Sequence, residues 1–146
     1  MKRVLLLLVI VALSWPAAQA QKPKCEVEDY TNKCIERIKP LGFSFLKSYK
    51  LDGLGGEKSV LEFSYVFSTG TTYIVTLGNA DRNNKGLVVT LLDDKKEVIV
   101  SSYREAEKEY LSALQIQCQR TGIYYLSFSF QDTKDFCGVG VLGFKR

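Results

Sequence analysis

The chain has 146 residues, with 20 Lys and Arg against 16 Asp and Glu, a formal net charge of +4 and no histidine. A balance this close to neutral gives no sign of an electrostatic grip on nucleic acid, which needs a concentrated basic stripe, and no nucleic-acid partner is expected. The missing imidazole excludes Ser-His-Asp and Cys-His catalysis, as well as any mixed cysteine–histidine zinc site.

Residues 1–20 read as a secretory signal peptide. Lys2 and Arg3 precede an apolar run from Val4 to Leu13, and Ala18-Gln19-Ala20 supplies a small-residue site with cleavage before Gln21. The run is too short to cross a bilayer and no later segment could do so, so no membrane span is expected. The sequence therefore predicts an exported protein, secreted or periplasmic, in a compartment that permits disulfides. The leader takes Lys2, Arg3 and the only tryptophan, Trp15, with it, leaving residues 21–146 as one domain by length.

Residues 21–42 form an N-terminal helical segment. Thr31 is the expected N-cap, Cys34, Ile35 and Ile38 make an apolar stripe at helical spacing, and Pro40 stops a helix over about 31–39. From Phe43 onward the period changes to two, and residues 43–146 are read as the sandwich domain. Strands are expected at 43–51, 58–67, 72–78, 86–92, 97–101, 113–119, 122–131 and 136–144. Leu61, Phe63, Tyr65 and Phe67 oppose Glu62 and Ser64; Leu114, Ile116 and Cys118 oppose Gln115, Gln117 and Gln119. Such alternation means one buried face and one wet face, as in antiparallel sandwiches. Between the strands, 102–111 is open to two readings. Ser102 with Glu105 resembles a capping box for a solvated helical turn, and a charged loop fits equally well.

Eight short strands with turns between them predict an all-β fold: an eight-stranded antiparallel β-sandwich of jelly-roll type with a short N-terminal helix. Two stretches also resemble a family. Phe63-Ser-Tyr-Val-Phe-Ser-Thr-Gly-Thr-Thr-Tyr-Ile-Val-Thr-Leu77 is similar to the paired strands around the glycine turn of bacterial pre-peptidase C-terminal domains. Thr121-Gly-Ile-Tyr-Tyr-Leu-Ser-Phe128 is similar to their late glycine-aromatic strand, so the resemblance spans about 58–145. It implies a secreted accessory sandwich and carries over no catalytic residue. The chain departs from the family at Asn84-Lys85-Gly86-Leu87, where those domains commonly carry an aspartate pair.

Cys25, Cys34, Cys118 and Cys137 allow three pairings, and their spacing fits no redox or zinc motif. Two structural disulfides are expected. In a jelly roll Cys118 and Cys137 would stand at opposite ends of one sheet, too far apart to bond. Cys34, just upstream of the first strand, is then the expected partner of Cys118, leaving Cys25 for Cys137; Cys25–Cys34 is the rival pairing.

No residue is assigned a catalytic role, and no cofactor is expected. Asp93 and Asp94 are adjacent carboxylates, but they sit in a Lys-flanked stretch of β-turn composition. Asn79, Asp81 and Asn83 place oxygens at alternate positions, as in a calcium loop, although Arg82 and Lys85 dilute the charge and no terminal glutamate follows. A structural turn is the simpler reading. Tyr103, Tyr110 and Tyr125 are the candidate rings for a carbohydrate. The function class expected is a non-enzymatic binding or accessory module acting on a protein or glycan surface. The alternative is a structural or envelope-associated protein with an apolar patch or open sheet edge.

Overall fold

The computed structural model describes residues 24–146, so the predicted signal peptide at 1–20 lies outside the described residues. The chain is mostly β, antiparallel throughout, with one short helix. Helix α1 (Glu28–Ile38) starts three residues before the expected Thr31. Its first turn carries Glu28 and Asp29, whose charges favour a helix N-terminus. Thr31 does not cap: its Oγ1 donates back to the Val27 carbonyl at 2.8 Å from inside the helix. A 3₁₀ turn over Lys39–Leu41 contains Pro40, and Gly42 at φ 79° redirects the chain into the first strand.

The strands are β1 (Ser44–Asp52), β2 (Val60–Phe67), β3 (Thr72–Asn79), β4 (Leu87–Leu92), β5 (Val98–Ser101), β6 (Tyr103–Arg104), β7 (Glu109–Tyr110), β8 (Ala113–Gln117), β9 (Gly122–Phe130) and β10 (Cys137–Lys145). One four-stranded sheet has the order β1-β10-β3-β8, here sheet A; the other, sheet B, has the order β2-β9-β4-β5. The ambiguous stretch 102–111 is neither helix nor loop. It is a two-stranded hairpin, β6 with β7, which brings the strand count to ten. Ser102 cannot act in a capping box because it is wholly buried. Its N–H donates to the Val89 carbonyl, its hydroxyl accepts from the Val89 N–H, and its carbonyl receives the Leu111 N–H. One serine thus stitches the hairpin to β4.

The two sheets meet across one core. Leu51, Val75, Leu77, Leu114 and Leu142 from sheet A pack with Phe67, Leu87, Leu91, Leu126 and Phe128 from sheet B. Gly140 makes this packing possible, since a Cβ there would stand 2.4 Å from the Phe128 ring. Sheet A departs from the expected wet outer face. Helix α1 lies across it, and Cys34, Ile38 and Phe43 bury Ile74, Val139 and Val141 in a second cluster. Accordingly β3 is buried on both faces from Tyr73 to Asn79.

Cys25 and Cys137 form a disulfide with Cα atoms 5.4 Å apart, tying the segment before α1 to the start of β10. The expected Cys34–Cys118 bond is absent, and both residues are buried free thiols. The reason is the path of the helix. Running back along sheet A, it sets Cys34 over Gly78 at the end of β3, where a glycine Cβ would lie 3.0 Å from the sulfur. Cys118 sits in the inter-sheet core and donates its backbone N–H to Thr71, just before β3 begins. The two thiols therefore occupy opposite faces of sheet A, separated by about 23 Å of extended strand.

Candidate functional site

The loop between β3 and β4 organises one end of the molecule. Asp81 Oδ1 accepts the backbone N–H of Asn83 at 2.8 Å and of Lys85 at 3.3 Å, an Asx turn closing the loop on itself. Asn79 donates Nδ2 to the Lys85 carbonyl at 3.3 Å from a nearly buried position. Asn84 adopts φ 53° and is also buried, which throws Arg82, Asn83 and Lys85 outward. Three clefts share this loop. The largest, about 720 Å³, is bounded by Arg37 from α1, by Asp81, Arg82 and Lys85, and by Lys108 and Tyr110 of the hairpin. A second, about 360 Å³, runs over Lys33, Cys34, Arg37 and Arg82. A third, about 450 Å³, lies towards Asp132 and Asp135.

The charges around the largest cleft are unequal in their freedom. Asp81 is occupied by backbone N–H groups, and Glu109 is held by Arg104 at 3.3 Å. Arg37 is only partly engaged, donating to the Leu77 carbonyl at 3.3 Å. Arg82, Lys85 and Lys108 make no ion pair among the described residues. Burial, followed by the charge of Asp132 and the neighbouring Tyr103, pushes the Tyr110 phenol above its usual range, so that ring is a neutral donor on the cleft wall. Burial likewise pushes the Cys34 thiol up, which keeps it protonated.

The structure brings the predicted residues together unevenly. Asn83 and Asp81 share the largest cleft with Tyr110, whose ring lies against Tyr103 at 4.8 Å across the hairpin. Tyr125 is elsewhere, on β9, with the Lys96 ammonium 3.1 Å over its ring and Lys96 also paired to Glu62. The three rings do not form one platform. For a hard cation the loop offers one carboxylate already engaged, and among the described residues no group of three His, Cys, Asp or Glu gathers to hold a metal. Asp93 Oδ1 accepts the N–H groups of Lys95 and Glu97, so it braces the β4–β5 turn, and Asp94 pairs with Arg120. The cations of the cleft were missed from sequence. In sequence Arg82 and Lys85 dilute the charge of a calcium loop, but a pair of cations beside an Asx turn equally signals an anion-facing loop.

The chain matches no protein-family model and no curated protein. A solved structure, the periplasmic inhibitor of g-type lysozyme PliG from Aeromonas hydrophila, is similar over 70% of this chain and 86% of its own, at 11% identity and a TM-score of 0.46. A likeness of that extent fixes neither a partner nor an activity. No described helix is long and apolar enough to cross a membrane.

Proposed function

We propose that this protein is an exported, non-enzymatic binding module that engages acidic groups of a protein or glycan surface at the cleft around the 79–86 loop. The observation that carries this reading is the charge inventory of the cleft. Glu109 is paired with Arg104 and Asp81 Oδ1 is taken up by backbone N–H groups, while Arg37, Arg82, Lys85 and Lys108 outnumber these two acids and Arg82, Lys85 and Lys108 keep their charge for a partner. Loops gathered at one end of a rigid two-sheet scaffold are where binding commonly resides. The Cys25–Cys137 disulfide supports export, since such bonds persist in oxidising compartments. A sequence without histidine supports a role other than nucleophilic hydrolysis. The order β1-β10-β3-β8 opposite β2-β9-β4-β5 supports an eight-stranded jelly-roll sandwich with the β6–β7 hairpin added. The turn at Gly70, at φ 79° between β2 and β3, is in keeping with kinship to pre-peptidase C-terminal domains, which we also propose.

The test is titration of the oxidised mature protein with a glutamate-rich peptide and, separately, with the anionic polysaccharide alginate, followed by fluorescence anisotropy. Binding that weakens with salt, and that falls roughly tenfold in the Arg82→Glu/Lys108→Glu double variant, is expected. Which probe wins separates a protein from a glycan surface. Absence of binding to both, or equal binding by the double variant, overturns the proposal.

A further inference from the structure

Strand β2 ends sheet B, and among the described residues its outer edge is the one edge of the two sheets left without a device against pairing. β1, at the edge of sheet A, carries a bulge between Phe45 and Lys47 and exposes Lys47 and Lys50. β5 and β8 are short, spanning Val98–Ser101 and Ala113–Gln117. Bulges, lysines and short strands are the usual means of blunting an edge. β2 has none of them: its register with β9 is unbroken from Val60↔Ser129 to Phe67↔Gly122. It contains no proline, and its single charge, Glu62, is already paired with Lys96.

The groups at this edge can be assigned. Phe130 N–H donates to the Ser59 carbonyl at 2.9 Å, so Ser59 turns its backbone towards β9. Backbone polar groups alternate sides along a strand. Leu61, Phe63 and Tyr65 therefore also face β9, while Val60, Glu62, Ser64 and Val66 present their N–H and C=O groups to the open edge. The side chains of these same residues lie on the outer face, where Val60 is 55% and Val66 57% exposed, with Ile123 opposite Val66. On the inner face Leu61, Phe63 and Tyr65 are only partly buried, so the core itself is open along this side.

We propose that β2 pairs antiparallel with β2 of a second copy, about a two-fold axis at Phe63, joining the two B sheets into one. The strand is self-complementary in this register alone. Val60 meets Val66 of the second copy, and the reverse, so each exposed valine covers the other. Glu62 falls opposite Ser64, and Phe63 faces its own counterpart on the core side. Every outward N–H and C=O from Val60 to Val66 then finds a partner in a hydrogen-bonded pair. Shifting the axis to Glu62 would set like charges directly opposite, which destabilises a sheet. Shifting it to Ser64 leaves both Val60 residues uncovered. An isologous contact of this kind closes at two copies and gives no fibre.

The test is sedimentation equilibrium of the oxidised mature protein at concentrations on the order of 100 μM, where a modest edge contact would be populated. A dimer is expected. Ser64→Pro removes an N–H that faces away from β9, so it should leave the circular dichroism unchanged and give a monomer. Val66→Lys serves as the second edge variant and should also give a monomer. Register is read from a charge pair: Ser64→Glu, twice opposite Glu62, should weaken the dimer roughly tenfold, whereas Ser64→Lys should hold or tighten it. A monomeric wild type, a dimer that survives both Ser64→Pro and Val66→Lys, or equal effects of glutamate and lysine at position 64 would each overturn the proposal. None of these outcomes depends on the basic cleft at the loop end.

Discussion

The outer faces of the two sheets are built by the same alternation yet end in different surroundings. On sheet A the outward positions are Ile74, Thr76, Gly78, Val139 and Val141, and α1 covers them. On sheet B they are mainly polar, Ser64, Thr90, Tyr125, Ser127 and Ser129, with Val60, Val66 and Ile123 exposed among them, and no helix lies on them. Both strand sets alternate, but only the apolar outer face can repay the ordering of a helix against it. Gly78 shows how close the fit is, since a side chain there would run into Cys34 and Tyr30. The contrast teaches that alternation alone does not decide whether a strand's second face is wet: a continuous apolar set is covered by a helix, and a mainly polar one is not.

That contrast can be broken most forcefully at its clamp. Replacing Cys25 and Cys137 by alanine opens a crosslink with a sequence separation of 112. In the chain-entropy view this is worth about 4–5 kcal/mol, read as a lowered denaturation midpoint that reductant no longer changes. The same preparation checks the thiols. In denaturant, wild type should release two reactive thiols from Cys34 and Cys118, and none should react in the native state because both are buried. A chain with no reactive thiol after denaturation would restore the Cys34–Cys118 bond.

Next comes the helix contact. Ile38 is wholly buried between α1 and sheet A, and Ile38→Ala should cost about 2–5 kcal/mol in urea unfolding. A cost below 1 kcal/mol would mean that the helix is not seated as described.

A smaller effect lies between the sheets. The Tyr49 hydroxyl is buried without a hydrogen-bond partner, so Tyr49→Phe should be neutral or stabilising by about 1 kcal/mol. Burial, with the neighbouring Tyr65 adding repulsion, holds the Tyr49 phenol up at about 12, against 10 for the unfolded chain. The folded state thus keeps its proton longer than the unfolded state. This contribution to stability is complete below pH 10 and is lost as pH rises from 10 to 12. Thermal melts across that window should fall less steeply for Tyr49→Phe than for wild type.

The smallest effect belongs to the bare face. Ser127→Ala on β9 should change stability by less than about 0.5 kcal/mol, because its side chain lies on the uncovered face of sheet B. A large loss there would mean that something covers sheet B after all.

The elements were legible where a period dominated. Leu114 to Cys118 and Tyr124 to Phe130 predict β8 and β9 almost to the residue, because a strand with one buried face must alternate. The Cys25–Cys137 bond was expected only as the remainder of a Cys34–Cys118 pairing; the bond is present, but the pairing it was derived from is not, because α1 and the inter-sheet core hold those two thiols on opposite faces of sheet A. The hairpin at Tyr103–Tyr110 was not. Its charges suit a helical turn as well as a loop, and only the burial of Ser102 against Val89 selects two short strands. The alternating oxygens of Asn79, Asp81 and Asn83 suit a structural turn or, less simply, a calcium loop, and the structure shows the turn. Neither their position at a cleft nor the internal capture of Asp81 was legible, because the first depends on where α1 and the hairpin pack and the second on the backbone path to Lys85.

By itself the sequence determined the eight longer strands, their alternating pattern and the absence of imidazole chemistry, all of which follow from local period and composition. The tertiary structure alone decided that α1 lies back along sheet A, that Cys34 and Cys118 are kept on opposite faces of it, and that Arg37, Arg82 and Lys108 converge on one cleft. The physical reason is that these arrangements depend on how separate elements pack. Packing is set by the shapes and areas that meet across the fold, and no local stretch of chain records them.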